Sequence, residues 1–347
     1  MIKLSLITVC YNSAEFIRTA MESVLTQTWQ AIEYLVIDGG SADGTVEVIR
    51  EYEAKFGGRM RWMSERDHGM YDAINKGIKM ASGEVIGILN ADDVLSDDDV
   101  IARVVEAFGM GESPAEARIA PRRERTADRA KGEFTRKGTQ EQWREDGEAG
   151  GAGWQDSGAL IGQPAHQASS LPVDVIYGDV RFVANRTDVG LDVLRAEKTL
   201  RYYSARYWFP WMLQWGFMPP HPSVYIRRAC FDRLGYYELD YKIAADYAIL
   251  IRFLRKAKLH CRYMPICFVD MRVGGMSTRN WWSNLLLNQE IVRGNREAGY
   301  FCCLPMLLPK YAFKVFEFIG PKVRRWAVGN RQPARENLGA TQRAPRR

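Results

Sequence analysis

Residues 86–95 read IGILNADDVL, and the charge in this stretch falls in an unusual place. Ile86–Leu89 look like a buried strand, yet the run passes directly into Asn90, Asp92 and Asp93. Two adjacent carboxylates at the mouth of a buried strand repel each other and lose hydration. Ser, Gly or a single Asp would end such a strand at lower cost. A divalent cation relieves the repulsion, because Mg2+ or Mn2+ takes one or two carboxylates and completes its shell with water and phosphate oxygens. The pair therefore suggests a metal–diphosphate site, set against the plainer reading of a turn with an Asx cap.

The surrounding pattern supplies context. Apolar, β-branched runs at 4–11 (LSLITVCY), 32–40 (IEYLVIDGG), 60–65 (MRWMSE) and 84–90 (EVIGILN) predict strands. Between them, 13–28, 41–56 and 70–82 carry apolar residues at helical spacing, with Ser13 as the expected N-cap of the first helix. Strands alternating with helices predict an α/β class, a mostly parallel sheet covered on both faces. Ligands of such sheets bind at the carboxyl ends of the strands. Cys10–Asn12, Asp38–Asp43, Asp67–Gly69 and Asn90–Asp93 all fall at or just after those ends. Asp38 and Asp43 could accept hydrogen bonds from ribose hydroxyls or a base N–H. No GxGxxG follows the first strand and no GxxxxGK[ST] occurs, which excludes a nicotinamide dehydrogenase and a P-loop kinase. A nucleotide would be held by side chains and metal.

The chain of 347 residues, 46% hydrophobic, can bury one large domain or two smaller ones. Composition breaks after Phe108, and residues 109–172 are expected to be a disordered insertion, poor in β-branched residues and with nine basic against eight acidic side chains between Gly111 and Gly147. That balance argues against a nucleic-acid arm. Residues 173–300 resume order, with a strand at VDVIYGDVRFV (173–183), an aromatic, proline-broken stretch, and a helix in YKIAADYAILIRFLRKA (241–257), whose Ala245, Ile249, Leu250 and Phe253 form a buried face. Six cysteines lack CxxC spacing, so neither a zinc site nor a redox pair is indicated. With no signal-peptide pattern and no long uncharged run, a cytoplasmic setting is expected. Of the formal charge of +6, the segment 301–347 carries +8 (ten Lys or Arg against Glu317 and Glu336), leaving −2 for the first 300 residues.

SLITVCYNSAEFI (5–17), EYLVIDGGSADGT (33–45), ERDHGMYDAINKGIKMASGEVIGILNADD (65–93) and VIYGDV (175–180) resemble, in this order and spacing, the GT-A-fold family 2 glycosyltransferases. The resemblance is close from Ile2 to about Phe108 and looser from about Val173 to Asn280. It implies inverting transfer from a nucleotide-diphosphate sugar, usually a UDP-sugar, with Mn2+ or Mg2+. It also implies a nucleotide-sugar-binding half (1–108), an acceptor and catalytic half (173–300), and a saccharide or lipid-linked acceptor. Carried onto matching positions, it places Thr8, Tyr11, Asn12, Asp38, Asp67, Lys76, Asn90 and Asp92 on the donor side, with Asp92 beside the ribose and Asp93 on the metal. An inverting reaction needs one carboxylate to deprotonate the acceptor hydroxyl. Asp246 is the expected base, although the family's Glu-Asp is here Ala245-Asp246. His221 corresponds to a position near the acceptor or diphosphate, and Gly274 and Gly275 to hinges of a loop closing over the donor. The insertion and Arg272 depart from the pattern.

The tail reads as a basic amphipathic helix lying on an anionic membrane, with Lys310, Lys314, Lys322, Arg324 and Arg325 toward the headgroups at the inner face of the plasma membrane. A helix docked on its own domain is the alternative. For the whole chain, the rival to an enzyme is a catalytically silent nucleotide- or carbohydrate-binding module on a membrane scaffold.

Overall fold

The computed structural model describes residues 1–109, 172–274 and 281–311. The expected insertion, Gly275 and the tail beyond Tyr311 lie outside them, apart from Gly109 and residue 172 at the insertion's ends. The first four strands are β1 (Leu4–Cys10), β2 (Ile32–Asp38), β3 (Met60–Ser64) and β4 (Val85–Asn90). Helices α1 (Ile17–Leu25), α2 (Thr45–Glu53) and α3 (Met70–Met80) connect them, and α4 (Val100–Gly109) follows a two-residue strand, β5 (Val94–Leu95). The chain resumes with β6 (Val175–Val183), α5 (Leu191–Ala196), β7 (Arg201–Tyr203), β8 (Val224–Arg227) and α6 (Arg228–Leu234). Next comes α7 (Ala245–Leu250), which runs on as a π-helical turn (Ile251–Lys256), then β9 (Cys261–Arg272) and α8 (Trp281–Glu297).

The strands form one sheet in the order β3-β2-β1-β4-β8-β6-β9-β5, with β7 paired to β6. Strands β1 to β4 are mutually parallel, and β6 and β9 are parallel to each other; β8, β5 and β7 run against their neighbours. Every residue of β1 and β2 is buried, as a parallel sheet covered on both faces requires. Alternation along the strands divides the core. Ile7, Val9, Leu35, Ile37, Ile86 and Ile88 pack with α3 and α7, whereas Leu4, Leu6, Tyr34, Val36, Val85 and Leu89 pack with α1, α2 and α4. The expected buried face of the helix at 241–257 is present, with Ala245, Ile249, Leu250 and Phe253 all in the first cluster.

Register then places the chemistry. Cys10 pairs with Asp38, Asp38 with Ser64, and Val9 with Asn90, so the carboxyl ends of four strands finish side by side. Ile86 pairs with Ile226 and Ile226 with Val175, which joins the sheet to the second half of the chain at the amino end of β4.

Two expectations are corrected. Ser13 is not an N-cap: its hydroxyl donates to the Tyr11 carbonyl (3.2 Å), and α1 begins four residues later at Ile17. The reason is tertiary, because the turn before α2 reaches across, with Thr45 Oγ1 accepting from Ser13 N (2.8 Å) and Asp43 from Ala14 N (3.0 Å). Lys310 does not face outward. It is 8% exposed, and its Nζ donates to Asn288 Oδ1 of α8 (2.5 Å), while Asn288 Nδ2 donates to Tyr311 (2.7 Å). The first turn of the tail is thus docked on the domain. Among the described residues no helix is long and apolar enough to cross a membrane.

Gly87, inside the opening stretch, is required by a close approach: a Cβ there would lie 2.4 Å from Tyr225 Cε1. The Tyr225 ring fills that space against Phe268 (centroids 5.6 Å apart), and its hydroxyl, fully buried, has no hydrogen-bond partner among the described residues. A buried unpaired hydroxyl costs roughly 1–3 kcal/mol. Tyr225→Phe keeps the ring and removes the hydroxyl, so urea unfolding should show a variant at least as stable as the parent and up to that amount more stable; a loss of stability would mean the hydroxyl has a partner.

Candidate active site

At the end of β2 the Asp38 carboxylate is fully buried and takes donors from every side. Gly40 N (3.1 Å), Ser41 N (3.0 Å) and Ser64 Oγ (2.6 Å) meet one oxygen, and Ser41 Oγ (2.5 Å) and the Cys10 thiol (3.6 Å) the other. Burial pushes the carboxyl up, but the bonds from Ser41 and Ser64 outweigh it and hold the group below the usual range. Asp38 therefore shapes the loop after β2. Asn12, in the left-handed region (φ 48°), ties the β1 end to that loop: its N–H donates to Ser41 Oγ (2.7 Å) and its Oδ1 accepts from Ala42 N (3.0 Å). Asp43 is committed to Ala14 and Thr45 instead of facing a ligand.

The exposed walls of this cleft come from other residues. A side chain at Gly39 would displace Asp67, since a Cβ would sit 2.6 Å from Asp67 Oδ2 and 3.4 Å from the Tyr11 ring. Tyr11 (64% exposed) and the half-buried Asp67 thus flank a bare stretch of backbone. Gly69 N–H steadies the Asp67 carboxylate (2.9 Å). Lys76, from α3, reaches back to Glu65 (2.8 Å) and Asp72 (3.6 Å); the Glu65 contact raises its pKa and the side chain braces the loop. Thr8 is wholly buried, with its hydroxyl accepting from Tyr34 (2.9 Å), so it lies beneath the cleft floor. His68 is exposed at the rim.

Beyond β4 a tight turn brings Asn90 and Asp93 together, with Asn90 Nδ2 donating to Asp93 Oδ2 (2.9 Å) and Asp93 N to Asn90 O (3.1 Å). Asp93 is 2% exposed and Asp92 half-buried. Burial, and for Asp93 the charge of Asp92, push both carboxyls up, Asp93 far up. Among the described residues the cation that bears on both is Arg272 at the end of β9, a residue the sequence marked only as a departure. Its Nη1 donates to the Asp92 carbonyl (2.6 Å), Nη2 to Thr19 (2.9 Å) and Nε to the Arg186 carbonyl (3.1 Å). Burial lowers its pKa while Asp93 and Asp92 hold it charged. Gly274 (φ +115°) follows two residues later.

The donor set fits a divalent cation bound with a diphosphate. Two adjacent carboxylates are crowded and hard to ionise together, and among the described residues no third His, Cys, Asp or Glu completes a cage. Mg2+ and Mn2+ use such partial sets, with substrate oxygens supplying the remainder.

Asp246 stands in the first turn of α7 and meets the first half of the chain through Tyr71 of α3. Its Oδ1 accepts from Tyr247 N (2.8 Å) and from the Tyr71 hydroxyl (3.3 Å), which also bonds the Ile243 carbonyl. Burial raises the Asp246 pKa, against the His221 charge. Burial in turn lowers His221, whose Nε2 shares a 2.6 Å hydrogen bond with the Tyr237 hydroxyl. Tyr237 stacks on Tyr71 (centroids 5.9 Å) and meets His221 edge-on (5.6 Å). Tyr71 and Tyr237 were not singled out from sequence. For Tyr71 a signal existed, an aromatic residue in the first turn of the helix that starts at the Asp67–Gly69 loop; for Tyr237 there was none.

Asp38 yields a pH prediction with a defined sign. Its folded pKa is depressed, so its contribution is complete above about pH 4, the unfolded value, and is lost as pH falls through the folded one. Asp38→Asn should cost about 1.5–3 kcal/mol at pH 7, as loss of a hydrogen bond to a charged group does. The gap between parent and variant should close on acidification below about pH 4. Denaturant unfolding from pH 3 to 7 measures both, and a gap independent of pH would refute the assignment.

A family model described as "Glycosyl transferase family 2" matches residues 5–149. An uncharacterized glycosyltransferase of Mycobacterium tuberculosis is 40% identical over 111 residues, 32% of this chain and 41% of the relative, so the chain spans about two fifths of that relative's length. A PGL/p-HBAD biosynthesis glycosyltransferase of the same species is 24% identical over 294 residues, covering 83% of this chain and 82% of the relative. Among solved structures, a mannosyltransferase of Pyrobaculum calidifontis in complex with GDP-Man and Mn2+ superposes with a TM-score of 0.51 at 14% identity, over 95% of this chain and 76% of that one. That likeness concerns the fold. Residues 5–149 thus carry a match to the family 2 glycosyltransferases, and the mixed α/β sheet has the GT-A fold.

Proposed function

We propose that this chain transfers a sugar, with inversion, from a nucleotide-diphosphate donor to a saccharide or lipid-linked acceptor, using Asp246 as general base. What supports the reading is a crowded carboxylate pair after β4 together with a second carboxylate tied through Tyr71 to the start of α3. The crowded carboxylates are Asp92 and Asp93, and the single buried-side carboxylate, Asp246, stands on α7 beside His221. On this reading Tyr11, Asn12, Asp67 and the backbone at Gly39 receive the nucleoside. Asp38, Thr8 and Lys76 shape and brace that cleft from beneath, and Asn90 orients Asp93. Asp92 and Asp93 would hold Mn2+ or Mg2+, which when bound neutralises charge on the leaving diphosphate. UDP-sugars are the first candidates, and GDP-sugars belong in the same panel.

Asp246 takes the proton of the acceptor hydroxyl as that oxygen forms its bond to the sugar's anomeric carbon, and the bond from that carbon to the diphosphate oxygen breaks. Nucleoside diphosphate leaves. A base pKa raised toward neutrality suits this task. His221, lowered by burial, is neutral at pH 7 and can position the acceptor or the diphosphate as a hydrogen-bond partner without adding charge. Gly274, with Gly275 beside it in sequence, would serve as the hinge of a loop closing over the donor.

For the acceptor's setting, the sequence after Tyr311 favours an anionic membrane surface at the cytoplasmic face, through Lys314, Lys322, Arg324 and Arg325. Lys310 is no longer among those residues.

Nucleotide release from UDP- and GDP-sugars, with and without Mn2+ and with membrane extract as acceptor, tests the activity. Asp93→Asn should abolish Mn2+-dependent donor binding by calorimetry, because an amide cannot supply the charge; unchanged binding would remove the metal role. Asp246→Asn should keep donor affinity and lose about 10²–10⁴-fold in turnover, and near-normal turnover would place the base elsewhere.

A further inference from the structure

Asp246 stands at the end of a turn that its own helix does not stabilise. The N-cap residue of α7, Ala244, offers no side-chain cap, and Lys242, Ile243 and Ala244 point their N–H groups away from the helix. All three are received by one buried carboxylate on another element. Glu290 of α8 accepts from Lys242 N with Oε1 (2.8 Å) and from Ile243 N (2.9 Å) and Ala244 N (2.8 Å) with Oε2. The carbonyl of Ile243 is held by the Tyr71 hydroxyl, which also touches Asp246. The same stretch of chain is gripped by two further α8 side chains, with Arg293 on Asp240 and Glu297 on Tyr241 (2.5 Å).

We propose that Glu290 is a positioning residue for the base, a carboxylate donated from α8 that fixes the 242–244 turn and thereby aims Asp246 at the acceptor. This rests on the reading of Asp246 as general base. A charged acceptor receiving three backbone N–H groups is strong and geometrically demanding. Displacing a reacting group by about 1 Å can cost on the order of 100-fold in rate. Glu290 touches neither donor nor acceptor in this scheme, so its loss should leave nucleotide affinity alone.

The test compares Glu290→Gln with Glu297→Gln, a control that loosens Tyr241 but not the 242–244 amides. The probes are UDP binding by calorimetry, nucleotide release from UDP-glucose, UDP-GlcNAc and GDP-mannose with Mn2+ and water as acceptor, and the Asp246 carboxyl titration followed by 13C NMR. The charged and titratable groups facing Asp246 are His221, Tyr71 and Tyr237, and all three are retained in both variants. Glu290→Gln should bind UDP as the parent does, lose about 10- to 100-fold in turnover, and shift the Asp246 midpoint downward as the loosened turn admits water. The control should change none of these. In an Asp246→Asn background, Glu290→Gln should add no further loss.

Parent-like turnover and midpoint in Glu290→Gln, equal effects of the two Gln variants, or an undiminished loss in the Asp246→Asn background would each overturn the proposal. If Asp246→Asn alone retains full turnover, the base reading fails on its own. The NMR midpoint still decides whether Glu290 positions that carboxylate, and an unmoved midpoint says it does not. The NMR arm also decides the question for a protein that hydrolyses none of the three donors.

Discussion

Burying two neighbouring carboxylates is the constraint around which the site is arranged. Asp92 and Asp93 follow directly on β4, which is apolar up to Asn90, and burial denies both full hydration. Arg272 is the protein's partial answer. Its guanidinium spends its hydrogen bonds on the Asp92 and Arg186 carbonyls and on Thr19, leaving its charge, not its donors, to the carboxylates. That choice has a structural consequence. One side chain fastens the end of β9 to α1 and to the turn after β4, so the far half of the sheet is locked to the place where the acidic pair stands. It also has a chemical one, because the guanidinium takes up none of the carboxylate oxygens and the pair keeps a residual demand for positive charge.

A second carboxylate shows the opposite solution. Asp38 is as deeply buried as Asp93, yet its pKa is lowered, because Ser41, Ser64, Gly40 and Cys10 surround it with donors. The difference lies in what each is for. A carboxylate saturated by the protein organises a loop, whereas one left short of donors is available to a ligand. By that criterion Asp38 and Asp43 belong to the scaffold, and Asp92, Asp93 and Asp246 are the carboxylates left for the proposed chemistry.

How far the sequence reveals this follows from the range of the contacts involved. The strands β1 to β4 and helices α1 to α3 were legible because apolar period and local turn residues specify them, and their register brings Asp38, Asp67 and Asn90 to one edge without further information. Sequence misplaces the start of α1 because the N–H groups of Ser13 and Ala14 are bound by Thr45 and Asp43, some thirty residues away, which holds 13–16 as a turn ahead of the helix. Arg272 beside Asp92, Tyr71 beside Asp246 and Glu290 beneath the 242–244 turn join residues that no local pattern relates. Lys310 was misassigned for a like reason: a helical wheel places it on a basic face, while the tertiary partner Asn288 draws it inward. Local periodicity identifies which segments carry charge; only the packed fold decides which charges are spent.

The same reasoning bears on how the chain carries a long segment between α4 and β6. Arg227, at the end of β8, donates from Nη2 to the Phe108 carbonyl (3.0 Å) and from Nε to the Val173 carbonyl (2.7 Å), and its guanidinium lies over the Phe108 ring (5.2 Å). A single side chain therefore holds the points at which the chain departs and returns. Loop closure costs only about (3/2)RT ln n in free energy, so once the two ends are fixed the length between them changes stability slowly. Asp38, Asp92 and Asp93 come before the clamped segment in the chain and Asp246 after it. Arg227 thus does for the fold what Arg272 does for the site: it lets two distant stretches of sequence meet at a fixed distance, whatever the chain between them contains.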